Sequence, residues 1–269
     1  GYGETARVTA NPHVNLIGGT ITGNVFGGGE AAPVTGSPVV TANYGQAANI
    51  YGGGLGSTAV VTGSPAVIIS KTQNETLTLT DVFGGGDAAA VTGSTAVTLT
   101  DGTVRNIYGG GNAAGVSQAV AVTINGGTVT TGVYGGCNAS GTIGTDIVLG
   151  LNGGTIGSVD GTTNIVFGGG YGAGTSTNGN ITVNVNGSTI HGHVYGGSAL
   201  GSVNDAAADA TTVNVLAGTV NGNIYGGGLG EAGAANVAKG QVNGTVTVNI
   251  GATDGAQTPT YSGTATING

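Results

Sequence analysis

Apolar and polar residues alternate along most of the chain in short runs. ITVNVNG (181–187) and VTLTDG (97–102) are typical: Ile, Val and Leu fall on one side of an extended segment, Thr and Asn on the other. Gly, Asp, Asn or Ser closes each run and reads as a turn. No segment carries apolar residues at helical spacing over two turns, so the pattern predicts strands and no helices.

The runs belong to a repeat. NVFGGGE (24–30) returns as NIYGGGL (49–55), DVFGGGD (81–87), NIYGGGN (106–112), GVYGGCN (132–138), IVFGGGY (165–171), HVYGGSA (193–199) and NIYGGGL (223–229). The intervals between the aromatic residues run from 25 to 33 residues, the spacing of a solenoid. In the shortest unit DAAAVTG, STAVTLTDG and TVRNIYGGG follow one another between Phe83 and Tyr108, three extended segments in one triangular coil. Propeller blades need longer units of about 40 residues or more. The expectation is an all-β fold: one right-handed parallel β-helix domain over residues 1–269, with about eight to nine three-strand coils. Segments 70–77, 141–148, 171–180 and 202–211 read as insertions at its corners.

Stacked coils turn each repeated position into a column. Phe26, Tyr51, Phe83, Tyr108, Tyr134, Phe167, Tyr195 and Tyr225 are expected in one column, ring over ring. A regular strand turns these rings away from the Ile and Val core into an outward ladder; a bend starting at Val25 would swing them inward. The glycines behind the ring are expected to free the backbone for a bend or a positive φ. A second face is expected from T-x-N pairs: Thr123 with Asn125, Thr182 with Asn184, Thr212 with Asn214, and Thr247 with Asn249. Stacked, they would make a flat Thr/Asn array, either plain solvated sheet with amide ladders or a surface for adhesion or ice.

Composition narrows the setting. Charged residues make up only 6% of the chain against roughly 25% in average globular proteins, so the surface is neutral. A net charge of −8 with four Lys and Arg argues against nucleic-acid binding, which needs clustered basic residues. No apolar run approaches the length of a membrane span. The sequence holds no Met, which points to a processed product or a segment of something longer. The single cysteine, Cys137, stands at a third-glycine position and reads as a small residue rather than a reactive thiol.

Candidate chemistry is sparse. The twelve acidic residues are scattered, mostly at turns, and none is adjacent to another. Asp205 and Asp209 share a corner loop that could hold a weak Ca²⁺, although a solvated loop serves as well. His191 and His193, in TIHGHVYGG, would face outward on one strand and could contribute to a metal site given a third ligand. The GGG runs lack the Lys and Ser or Thr of a phosphate loop. No cofactor and no catalytic set is expected.

GGTITGNVFGGG, NGGTVTTGVYGGC and AGTVNGNIYGGG resemble the Gly-rich repeats of large bacterial cell-surface and secreted proteins, and in architecture pectin-lyase-like β-helices and autotransporter passengers. The resemblance covers Val14 to Gly269 and implies an adhesin, stalk or surface-layer role, with no catalytic residues to carry over. The expected function is a non-catalytic extracellular structural protein that assembles with itself end to end, since neither terminus reads as a capping repeat. The alternatives are a carbohydrate- or ice-binding solenoid using the ring ladder or the Thr/Asn face, with surface glycans as partners, and a polysaccharide-active β-helix enzyme.

Overall fold

The computed structural model describes residues 1–159, 164–204, 206–233, 239–253 and 261–269. Among them there is no helix, and 18 strands join in one sheet that winds as a parallel solenoid of about seven turns. The eight rings mark seven steps, and partial turns at either end account for the higher count of eight to nine expected from the sequence.

The first face stacks nine strands in register: His13–Ile21, Val39–Tyr51, Ala66–Ser70, Thr95–Asp101, Val120–Ile124, Ile147–Leu151, Ile181–Ile190, Ala210–Val220 and Thr245–Ile250. Every second residue points inward. Val40, Val67, Val97, Val122, Leu149, Val183 and Val213 pile into one buried column, and Ala42, Ile69, Leu99, Ile124, Leu151 and Val185 into the next. At about 25 cal/mol per Å² of apolar surface removed from water, this stacking is the main force holding the turns together.

The second face follows a corner. Gly45, Gly102, Gly127, Gly154 and Gly218 sit there with φ between 74° and 118°, a region closed to most side chains. These corners carry the positive φ that the sequence suggested for the ring-motif glycines, and no GGG run contains such a residue among those described. Beyond the corner Thr78–Thr103–Thr128–Thr155–Thr189–Thr219 form an outward column, continued by Gln46 and Thr20 at one end and Thr266 at the other.

The third face is thinner than three full strands per coil require. In the first turns it is pinned by single bridges, Val8–Val34–Val61–Val91–Val116–Ile143. Around these valines Ala and Gly dominate, which favour strands poorly. True strands appear later, at Ser140–Ile143, Gly174–Thr177 and Ser202–Val203. Segments 141–148 and 171–180 therefore supply this face rather than forming corner insertions, whereas 70–77 is a corner, with Asn74 at φ 66°. In the last turn Ala252–Thr253 and Tyr261–Ser262 pair as the one antiparallel ladder among the described strands.

Candidate functional site

The ring column lies on the side of the second-face strands opposite the core. Ile50, Val82, Ile107, Val133, Val166 and Val194 point into the main core, and the aromatic that follows each points away. The structure brings all eight rings together. Centroids are 4.7 Å apart for Phe26–Tyr51, 4.6 Å for Tyr51–Phe83, 4.9 Å for Phe83–Tyr108, 4.8 Å for Tyr108–Tyr134, 5.4 Å for Tyr134–Phe167, 4.9 Å for Phe167–Tyr195 and 4.8 Å for Tyr195–Tyr225. The ladder is not an exposed one. Tyr51, Phe83, Tyr108, Tyr134, Phe167 and Tyr195 are 1–6% exposed, because each ring covers its neighbour's face and the chain after the glycines folds back over the edges. Tyr225, in the last full turn, is 40% exposed.

Close stacking of the ring motif fixes the glycines. The N–H of Gly52 donates to Phe83 O, that of Gly84 to Tyr108 O and that of Gly109 to Tyr134 O, so the parallel ladder runs on past the ring. A Cβ on Gly27, Gly52, Gly84, Gly109, Gly135, Gly168 or Gly196 would collide with the carbonyl oxygen of the corresponding glycine one turn on. In the third-glycine column the Cys137 side chain reaches the main core and its Sγ donates to Ala114 O at 3.3 Å. Burial pushes this thiol up to about 11, which leaves it an inert thiol at neutral pH.

Two polar columns flank the ring edges. On one side Arg105 donates from Nε to Asp81 Oδ1 at 3.0 Å and from Nη2 to Oδ2 at 2.6 Å, while Asn106 Nδ2 donates to Asp81 Oδ1 at 2.9 Å. Farther along, Asn223 Nδ2 donates to the Tyr225 hydroxyl at 3.0 Å. On the other side, after the glycines, Asn112 Nδ2 donates to Asp87 Oδ1 at 2.6 Å and Asn138 Nδ2 to Asn112 Oδ1 at 2.8 Å. Tyr171, Ala199 and Leu229 continue that side. There the amide ladder stops, and a groove of about 380 Å³ opens over Tyr108, Tyr134 and Phe167.

The burial of the rings shows in their phenols. Burial first, then the charges of Tyr171 and Asp81, push Tyr134 up to about 12. Burial raises Tyr108 and Tyr51 further still, with Asp87 the chief second cause at Tyr51.

The Thr/Asn pairs separate. Thr182, Thr212 and Thr247 stack, and beside them Asn184, Asn214 and Asn249 form an amide ladder with bonds of 2.9 and 2.8 Å. Thr123 and Asn125 sit two residues out of that register. Thr123 shares its column with Gly150 and Asn184, and Asn125 accepts from Asn152, which accepts from Asn186, a second ladder. The array is thus three turns deep; its Thr column continues as Val148, Ala121, Ala96 and Ala66, and its Asn column as Gly150, Thr123, Thr98 and Ile68.

His191 lies in the bend between Ile181–Ile190 and His193–Tyr195, so the two imidazoles do not share one regular strand. Their Nδ1 atoms are engaged one turn on, with Asn221 Nδ2 at 3.1 Å and the Asn223 N–H at 2.8 Å. Among the described residues no three His, Cys, Asp or Glu side chains gather where a metal ion could be held. Asp209 Oδ2 accepts from the Ala206 N–H at 3.1 Å, closing its own turn; Asp205 lies outside the described residues.

Sequence reasoning missed the Thr column of the second face, the second Asn ladder and the groove. G-T-V and G-T-I recur as GGTI, GTV, GGTV and GGTI, a signal that marks the first of these. No protein-family model, no curated protein and no solved structure matches this chain, so its classification as a parallel solenoid rests on the structure itself.

Proposed function

We propose that the chain is a non-catalytic structural rod of an extracellular filament or adhesin stalk, extended by end-to-end stacking of one copy on the next. The observation that carries this reading is the C-terminal turn. Val246, Val248 and Ile250 are 40–60% exposed, whereas Val213 and Val215, in the same columns one turn earlier, are fully buried. The strand Thr245–Ile250 presents the edge that in every preceding turn pairs with the next strand, so a further turn in the same register would fit it, whether from a second copy or from chain beyond Gly269. Identical subunits joined by such a non-closing contact make a filament. The neutral, Thr- and Asn-rich surface suits association outside a cell.

The geometry supports the alternatives less well. Ladder rings with both faces stacked have no face left for a sugar. An ice-binding face needs flat, uncharged ground; the Thr/Asn array spans three turns, and Arg105 with Asp81 interrupts the face that carries the long Thr column. The test is electron microscopy and sedimentation of the purified protein over a concentration series. Filaments whose length grows with concentration, and which Val248→Lys abolishes, are the expected result. Uniform single particles at high concentration would refute the reading.

A further inference from the structure

The groove beside the ring column has the composition of a ligand site. Its floor is the edges of Tyr108, Tyr134 and Phe167, and it runs along the solenoid from Asn106 to Leu229. Those residues lie on successive turns, so the groove is roughly 20 Å long at about 4.8 Å per turn. Its volume of about 380 Å³ lies within the range of about 300–1,000 Å³ of small-molecule sites.

Two side chains in it are unexplained by packing. Asn106 is 8% exposed, its amide N–H donates to Asp81, and its Oδ1 has no hydrogen-bond partner. A buried acceptor left unpaired destabilises the fold, a loss that a donor in the groove would relieve. Tyr171 does not join the stack: its ring stands at 72° to Tyr134, 5.4 Å away, and remains 47% exposed. It is the one lining aromatic not sandwiched between ring neighbours, and so the one able to offer a face.

We propose that this groove binds a neutral pyranose, either a single sugar or a segment of a glycan chain. The apolar C–H face of one sugar packs on Tyr171 and a hydroxyl donates to Asn106 Oδ1 as local side chains adjust, while Leu229, farther along the groove, is reached only by a further sugar of a chain. A neutral ligand fits because the charges nearest the groove, Arg105 and Asp81, already neutralise one another. A purely apolar ligand would leave Asn106 unpaired. The site stands apart from the rod reading, since it lies on the flank of the solenoid and leaves both ends free. It also differs from a sugar platform made by the ladder itself.

Isothermal titration calorimetry reads occupancy of the groove without relying on any of the chain's nine tyrosines. Cellohexaose, mannohexaose and chitin hexasaccharide would be titrated into the intact protein, with free glucose, mannose and N-acetylglucosamine as competitors and p-cresol as an aromatic control. Binding of at least one hexasaccharide, weakened tenfold or more by Tyr171→Ala and by Asn106→Leu but unchanged by Tyr44→Ala, is the expected result. Tyr171 is a half-exposed side chain, so its variant keeps the test informative if Asn106→Leu folds poorly. Competition by the free sugar at equal concentration assigns the site to a single residue, and its failure to a chain. No binding by any of these saccharides, equal binding by Tyr171→Ala, or binding of p-cresol alone would overturn the proposal.

Discussion

At the scale of single residues, the glycines of the ring motif serve close approach rather than backbone freedom. Gly85 and Gly227 occupy the same motif position in different turns. A Cβ on Gly85 would come within 2.9 Å of Gly111 N, whereas one on Gly227 would meet nothing within 4 Å. Gly85→Ala should therefore cost about 1–3 kcal/mol, as overpacking does, and Gly227→Ala less than about 0.5 kcal/mol. Urea denaturation of the two variants checks this, and equal losses would contradict the steric account. The tyrosines give a second test. Tyr134 is raised from 10.0 to about 12, so the folded state holds its proton more tightly than the unfolded chain. The contribution is intact below pH 10 and is lost as the pH rises toward 12. In an alkaline titration, ladder phenolates and loss of the β-sheet circular dichroism should appear together in that window. All nine tyrosines ionising near pH 10 with the β signal intact would contradict it.

At the scale of elements, what could be read from the sequence is what recurs within one short segment. The ring with its glycines appears in every turn beside an inward Val or Ile, so column, period and parallel stacking were all legible. The Asn184–Asn214–Asn249 ladder was legible too, but the second Asn ladder was not, because T-x-N marks different places in different strands. In TTVN (211–214) and ITVN (181–184) the Asn lies between two core residues, whereas in VTIN (122–125) it follows the last one, Ile124. Counting from the last core residue before N-G would have joined Asn125, Asn152 and Asn186. The burial of the ladder was illegible for another reason: the cover comes from segments after the glycines, whose path depends on the turns below. The groove needs Asn106, Tyr171 and Leu229 from separate turns, and no local pattern links them. The ladders themselves are testable. Asn214 donates to Asn184 and accepts from Asn249, while Asn249 makes one such bond. Asn214→Ala should cost about 1–2 kcal/mol and Asn249→Ala about half as much, measured by thermal unfolding. Equal effects would mean that the amides do not act as a ladder.

At the scale of the whole molecule, each turn leans only on its two neighbours, so stability should grade along the axis. Amides of the central strands Thr95–Asp101 and Val120–Ile124 should exchange slowest, and those of Thr245–Ile250 fastest. Uniform protection along the chain would instead indicate one all-or-none unit. The nearest-neighbour winding also has a mechanical side. A turn adds roughly 4.8 Å to the length of the rod. The same turn stores 25 to 33 residues of polypeptide, which reach on the order of 100 Å when drawn straight at about 3.4 Å each. Tension on the two ends would peel one turn at a time, each release breaking one ring contact and one set of ladder bonds. The rod would then pay out about twenty times its own length before going taut, a reserve of slack in a protein whose folded form is stiff.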